Sequence, residues 1–170
     1  MIITSSDRTV PITVFARSSA PPNVSFRIIA PIDLTKVFLA DALFPGIAKV
    51  EEQTDSWDHA GVVRRPRFTD GTQVTERLTE YVEGHGFAYE LTGFTNTLAN
   101  LALGVRGEFS LLPDGEGSMI RWTYEFKPKR GRRWIIAGPF LPLWRRYMKK
   151  ALDRMVAVVE EQQLAASNIG

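Results

Sequence analysis

Gly131–Leu164, GRRWIIAGPFLPLWRRYMKKALDRMVAVVEEQQL, decides how the rest of the chain is read. Past Pro142 this stretch has no Pro or Gly, and Trp144, Met148, Ala151, Leu152, Met155, Val158 and Val159 recur at steps of three and four residues. That spacing predicts an amphipathic helix of about 22 residues, about 33 Å long, preceded by an apolar lead-in. Such a helix must lay its apolar stripe on a partner, and the strands upstream are the only large one. The expectation is a curved antiparallel sheet gripping the helix, with a cavity between them.

Those strands are read from a period of two. Ala60–Phe68 and Thr72–Val82 flank Asp70-Gly71, a hairpin signal. Phe87, Tyr89 and Leu91 alternate with polar or small residues, as do Val105, Gly107, Phe109 and Leu111, and then Ile120, Trp122, Tyr124 and Phe126. Each run is one-sided, as a sheet with one covered face requires. Nearer the N-terminus, Val10–Arg17 and Val24–Ile29 read as two strands separated by the turn cluster Ser18–Asn23. Asp33 opens a short helix whose buried edge is Leu34, Val37 and Phe38, and Phe44-Pro45-Gly46 stops it. Ile47–Thr54 fits either a second short helix or a strand.

Composition narrows the function classes. The 170 residues contain no cysteine, which excludes disulfides and thiolate chemistry. No apolar run approaches the ~18 residues of a membrane span. The opening MIITSSDRTV lacks a basic region followed by an apolar core, so no secretion signal is read and a cytoplasmic location is expected. The glycosylation-type triplet Asn23-Val24-Ser25 therefore carries no weight. The net charge of +2 hides an asymmetry: residues 1–126 hold eleven Lys/Arg against sixteen Asp/Glu, whereas residues 127–154 hold ten against Asp153 alone. His59 and His85 are the only histidines, and with scattered carboxylates they form no metal site at a usual spacing. No Gly-rich phosphate loop is present. Neither metal nor cofactor is expected.

Taken in order, several residues carry a family resemblance: Ile29-Ala30-Pro31 leading to Val37-Phe38, Gly61 with Arg64 ahead of Asp70-Gly71, Glu76-Arg77-Leu78, and Tyr89. The turn Asp114–Gly117 before Ile120-Arg121-Trp122 and Phe126, and then the terminal helix, complete it. The chain thereby resembles the polyketide cyclase/dehydratase and lipid-transport group of the START-like superfamily, the helix-grip fold of the birch pollen allergen. The resemblance implies an α+β fold: a curved antiparallel β-sheet wrapped around a long C-terminal helix, with two short helices after the first strand. It implies one such domain over residues 1–170, its core at 24–164. It places the first strand's passage into the first helix at Ile29-Ala30-Pro31, and it leaves Val10–Arg17 as an extra strand or an arm within residues 1–23. Members of this superfamily bind lipids, sterols, polyketides, quinones or hormones between sheet and helix. A minority catalyse cyclisation or dehydration there, with no universal catalytic residue.

The expected ligand wall is Phe87, Tyr89, Phe109, Trp122, Tyr124 and Phe126 on the sheet, facing Met148, Leu152 and Met155 on the helix. The competing reading is that these side chains simply fill a core. Polar candidates inside are Arg65 and Glu76. A two-residue turn at Asp70-Gly71 pairs them, and a slip of one residue would make Arg64 the partner instead. Glu76, Arg65 and His59 are the candidate catalytic groups if the protein is an enzyme of the cyclase/dehydratase type. His85, in Glu83-Gly84-His85-Gly86, reads as a solvated turn residue. The basic stretch Lys127–Lys150, interleaved with Trp134, Phe140 and Trp144, fits either a solvated helix face or a dock for an anionic membrane. Nucleic acid is the weaker partner because the aromatics are needed inside. Monomer and homodimer are equally compatible with the sequence.

Overall fold

In the computed structural model, which describes residues 3, 4 and 6–167, seven antiparallel strands form one sheet in the order β1-β7-β6-β5-β4-β3-β2. The strands are β1 (Val10–Ser18), β2 (Ile47–Glu51), β3 (Val63–Phe68), β4 (Thr75–Val82), β5 (Gly86–Thr92), β6 (Ala102–Asp114) and β7 (Gly117–Pro128). Two short helices, α1 (Pro22–Ile29) and α2 (Leu34–Val37), lie between β1 and β2. After β7 the chain enters a helix that runs on without a break: α3 (Arg133–Ile135), a π-helical segment (Ile136–Phe140) and α4 (Leu141–Ser167). This is the helix-grip arrangement, with two short helices after the first strand.

The strand and helix reading near the N-terminus needs correction. Val24–Ile29 is not a strand but most of α1. Pro22 occupies the first turn, where its missing N–H costs nothing, and Ser25, Phe26 and Ile29 form the buried face. In six residues rich in β-branched and aromatic side chains the two periods are hard to separate, and the Pro-Pro start signal outweighs strand propensity. Val10–Arg17 is a strand, as expected, and lies at the edge of the sheet rather than forming an arm. As β1 it pairs along its whole length with β7, from Val10 opposite Phe126 to Ser18 opposite Ser118. Ile29-Ala30-Pro31 accordingly leaves a helix rather than a strand. Ile47–Glu51 resolves as strand β2, paired with β3.

The β3–β4 hairpin is one residue longer in its loop than expected. The Phe68 N–H donates to the Thr72 carbonyl (2.7 Å) and the Gly71 N–H to the Phe68 carbonyl (3.0 Å). Thr69-Asp70-Gly71 is thus a three-residue loop, closed by Gly71 at φ +83°. This is the type I turn with a bulge that favours glycine at its left-handed position. The register moves by one, so Arg64, not Arg65, lies opposite Glu76.

The terminal helix also begins earlier than Pro142. Pro139 cannot donate a backbone hydrogen bond and its ring would crowd the carbonyl four residues back; the wider π turn relieves both problems without ending the helix. α4 then buries Tyr147, Met148, Ala151, Leu152, Met155 and Val159. Its close backbone approaches are to β1, α1 and α2, and hardly at all to β3–β6. Glu160 fastens its far end to the β1–α1 turn, accepting from Ser18 Oγ (2.7 Å) and the Ser19 N–H (2.8 Å). The helix therefore closes one side of the bent sheet and stands off the other.

Candidate ligand-binding cavity

The space left by that stand-off is a cavity of about 430 Å³ between the concave face of the sheet, the loop after α2 and the first turns of α4. Its wall is mostly aromatic and aliphatic. Phe87, Tyr89 and Phe109 come from β5 and β6, Tyr124 and Phe126 from β7, and Phe140, Trp144, Tyr147 and Met155 from the terminal helix. Inward alternation of these strands puts the rings on one face, where they brace each other. Phe87 stacks on Phe109 at 4.9 Å between centroids, Phe109 on Trp122 at 4.9 Å, and Trp144 on both Tyr124 (5.8 Å) and Phe140 (5.7 Å). Rings held by rings cannot readily collapse into the space, which keeps it open.

Of the nine residues expected in the wall, Phe87, Tyr89, Phe109, Tyr124, Phe126 and Met155 line the cavity. Trp122, Met148 and Leu152 do not. All three are fully buried, Met148 and Leu152 on the packed face of α4 and Trp122 behind Phe38 and Phe109. Beyond the expected wall, Arg64, read from sequence only as the alternative partner of Glu76, lines the cavity, as do Phe38, Phe44, Leu98 and Leu101. Phe44, Leu98 and Leu101 lie in loops or a single 3-10 turn, where no periodicity marks an inward side, and Phe38, read as part of the buried edge of α2, was not assigned to the cavity wall.

Two hydrogen-bonded polar devices interrupt the apolar wall, and the buried indole N–H of the wall residue Trp144 has no partner among the described residues. On β3 and β4, Arg64 Nε donates to Glu76 Oε2 at 2.6 Å, with both side chains 7% exposed or less. The Arg64 guanidinium also lies 3.7 Å over the Trp57 ring, a cation–π contact that fixes its plane. On β5 and β7, the Trp122 indole N–H donates to the Tyr89 hydroxyl (3.0 Å), which donates to the Tyr124 hydroxyl (3.3 Å). Indole nitrogen is a donor only, so it sets the direction of the chain. Tyr124 O–H is left as the terminal donor, with no acceptor among the described residues. Burial, reinforced by the Glu76 charge, pushes both phenols well above their ordinary range, so they stay neutral donors at physiological pH.

Gly107 is what allows this geometry. It sits opposite Tyr89 on one side and Tyr124 on the other, and a Cβ there would come within 2.3 Å of the Tyr89 ring. The ring lies flat across the glycine and so reaches Trp122 and Tyr124.

The remaining candidates lie elsewhere. Arg65 points outward and pairs with Glu52 (2.6 Å). His59 is not in a strand but in the turn before β3, exposed and bonded through Nδ1 to Asp58 (2.7 Å). His85 is exposed in the β4–β5 turn, its Nδ1 2.9 Å from the Glu83 carbonyl. Of the three candidate catalytic groups only Glu76 reaches the cavity. No cluster of His, Asp or Glu among the described residues has metal-binding geometry.

The family model described as polyketide cyclase/dehydrase and lipid transport matches residues 10–160. The chain belongs to that family. The match begins at the first residue of β1, which makes this strand part of the family's pattern. Among solved structures, that of Ara h 8.0201 superposes with a TM-score of 0.64 at 19% identity, covering 92% of this chain and 99% of the other. The protein CV1439 from Chromobacterium violaceum superposes with a TM-score of 0.62 at 21% identity, covering 88% and 96%. At such identities these two likenesses show the fold alone. No curated protein matches the chain.

The fold and family are consistent with binding of hydrophobic ligands. No helix among the described residues is long and apolar enough to cross a membrane.

Proposed function

We propose that this protein binds a small, mostly apolar molecule carrying one hydrogen-bond acceptor, such as a ketone, ester or quinone carbonyl. The observation that carries the reading is the cavity's composition. Its ~430 Å³ falls in the range of small-molecule sites, roughly 300–1,000 Å³, which are typically apolar with a few fixed polar groups. Here the fixed groups are the directed Tyr124 hydroxyl and the Arg64–Glu76 pair. An acceptor seated at Tyr124 completes a chain of donors whose order Trp122 already imposes.

A carrier is favoured over an enzyme. Catalysis of the cyclase/dehydratase type needs at least two of the candidate groups to converge in the cavity, and only Glu76 reaches it, with its Oε2 held by Arg64 at 2.6 Å. The expected partners Arg65 and His59 are outside the cavity. Titration with an environment-sensitive apolar fluorophore, followed by displacement with matched pairs of ketone and hydrocarbon, tests the proposal. Displacement by ketones ahead of their hydrocarbon counterparts is expected. Absence of fluorophore uptake, or no preference between the pair, would contradict it.

A further inference from the structure

The cavity reaches the surface at a rim formed by Leu43, Asp70, Thr97 and Leu143, each of which lines it and is exposed. Leu43 and Leu143 are 63% and 43% exposed, so both project apolar surface into solvent. Two basic clusters flank this rim. Arg145 and Arg146 follow Leu143 on the first turns of α4, and both are exposed. Lys129, Arg130 and Arg132 form the turn between β7 and α3, and the Lys129 N–H donates to the carbonyl of Leu101, itself a cavity-lining residue (2.8 Å). Trp134, 70% exposed, follows that turn.

None of these five cations has an ion-pair partner among the described residues, whereas Lys149 and Lys150 are neutralised by Asp153 and Asp41. Asp70 is the one acidic side chain lining the cavity at this rim, and it is turned to its own hairpin, accepting from the Thr72 N–H and hydroxyl. The rim therefore combines projecting leucines and an indole with unpaired guanidinium groups. An acidic peptide or a nucleic acid would use the charge and leave the leucines wet. Base stacking needs a platform of several outward aromatics, and here Trp134 stands without others. A bilayer with anionic headgroups takes both: cations at the phosphates, Leu and Trp at the acyl boundary.

We infer that the rim around Leu43 and Leu143, with Arg145, Arg146 and the Lys129–Arg132 turn, docks on anionic lipid bilayers and presents the cavity's opening to the hydrocarbon. Passage of an apolar ligand through this opening rests on the function proposed above; the docking itself does not.

The test is co-sedimentation with phosphatidylcholine vesicles, with and without phosphatidylglycerol, at low and high salt. A charge-reversed variant (Arg145→Glu, Arg146→Glu) and a rim variant (Leu43→Ser, Leu143→Ser) are compared with a control at the opposite end of the sheet. That control is Arg17→Glu with Arg27→Glu, where the native side chains pair with Asp114 and Glu83. Each cation near such a surface is worth about fivefold in partitioning. The charge-reversed variant should therefore bind anionic vesicles at least tenfold more weakly. The rim variant should also bind more weakly, the control should bind as wild type, and salt should weaken wild-type binding. Equal binding to neutral vesicles, equal loss in the control, or tighter binding to an oligonucleotide that survives the leucine changes would overturn the inference. So would no vesicle binding at all. Fluorophore uptake by the charge-reversed variant, whose changes lie outside the cavity wall, separates the two readings. Docking lost with uptake intact is expected, whereas vesicle binding by a protein that takes up no apolar probe would sink the cavity's function and leave the docking surface standing.

Discussion

Arg64 and Glu76 face each other across β3 and β4 at 2.6 Å, both nearly inaccessible to solvent and both in the wall of a mostly apolar cavity. Neither charge has bulk water to fall back on, so each depends on the other. Arg64→Met or Glu76→Leu alone should cost about 3–5 kcal/mol, because an unpaired charge stays buried. The double substitution should recover most of that loss. Urea denaturation of the three variants checks this; a double mutant no more stable than the worse single would show that the pair is not self-contained.

Tyr89 couples the buried Trp122 indole to Tyr124. Tyr89→Phe removes the one acceptor that the Trp122 N–H has among the described residues and should cost about 1–3 kcal/mol. Tyr124→Phe leaves that acceptor in place and should cost less stability. It should instead weaken binding of ketone ligands, by roughly 0.5–1.5 kcal/mol, while leaving hydrocarbon binding unchanged.

Gly107→Ala places a methyl where the Tyr89 ring lies, 2.3 Å from its Cζ atom. Overpacking of this kind typically costs about 1–3 kcal/mol. Because the ring must tilt, the variant should also lose ketone preference, as Tyr124→Phe does. Melting temperature and fluorophore displacement measure the two effects together.

All four tyrosines have folded-state pKa values raised above the ordinary 10.0, mainly by burial. For Tyr81 and Tyr147 the value is about 12. The unfolded chain gives up phenolic protons first, so stability is fully present below pH 10 and falls as pH rises towards the folded-state values. Tyrosinate absorbance should therefore stay low until unfolding begins and then rise together with loss of helical ellipticity. Tyrosinate forming in a still-folded protein near pH 10 would contradict the burial.

Much of this architecture is written in simple periods. The alternation in β5, β6 and β7 specifies which rings face inward, and the three- and four-residue spacing of Met148–Val159 specifies the packed face of α4. What the periods do not reveal is where packing ends and cavity begins: Leu152 and Met155 share one helical stripe, yet only Met155 lines the cavity. The β3–β4 register was equally ambiguous, since Asp70-Gly71 suits a two-residue turn as well as the last two positions of a three-residue loop. The difference of one residue exchanges Arg65 for Arg64 in the cavity. Gly107, an isolated glycine inside a strand pattern, was a legible sign of close approach. Gly138-Pro139 hid the true helix start because proline normally ends a helix rather than widening it.

The most direct test of the central claim is native mass spectrometry of the purified protein, followed by organic extraction and analysis of whatever is released. A bound species that is small, apolar and bears a carbonyl, and that is depleted in Tyr124→Phe, is the expected result. Protein at its bare mass that also fails to take up any apolar ketone offered to it would contradict the claim.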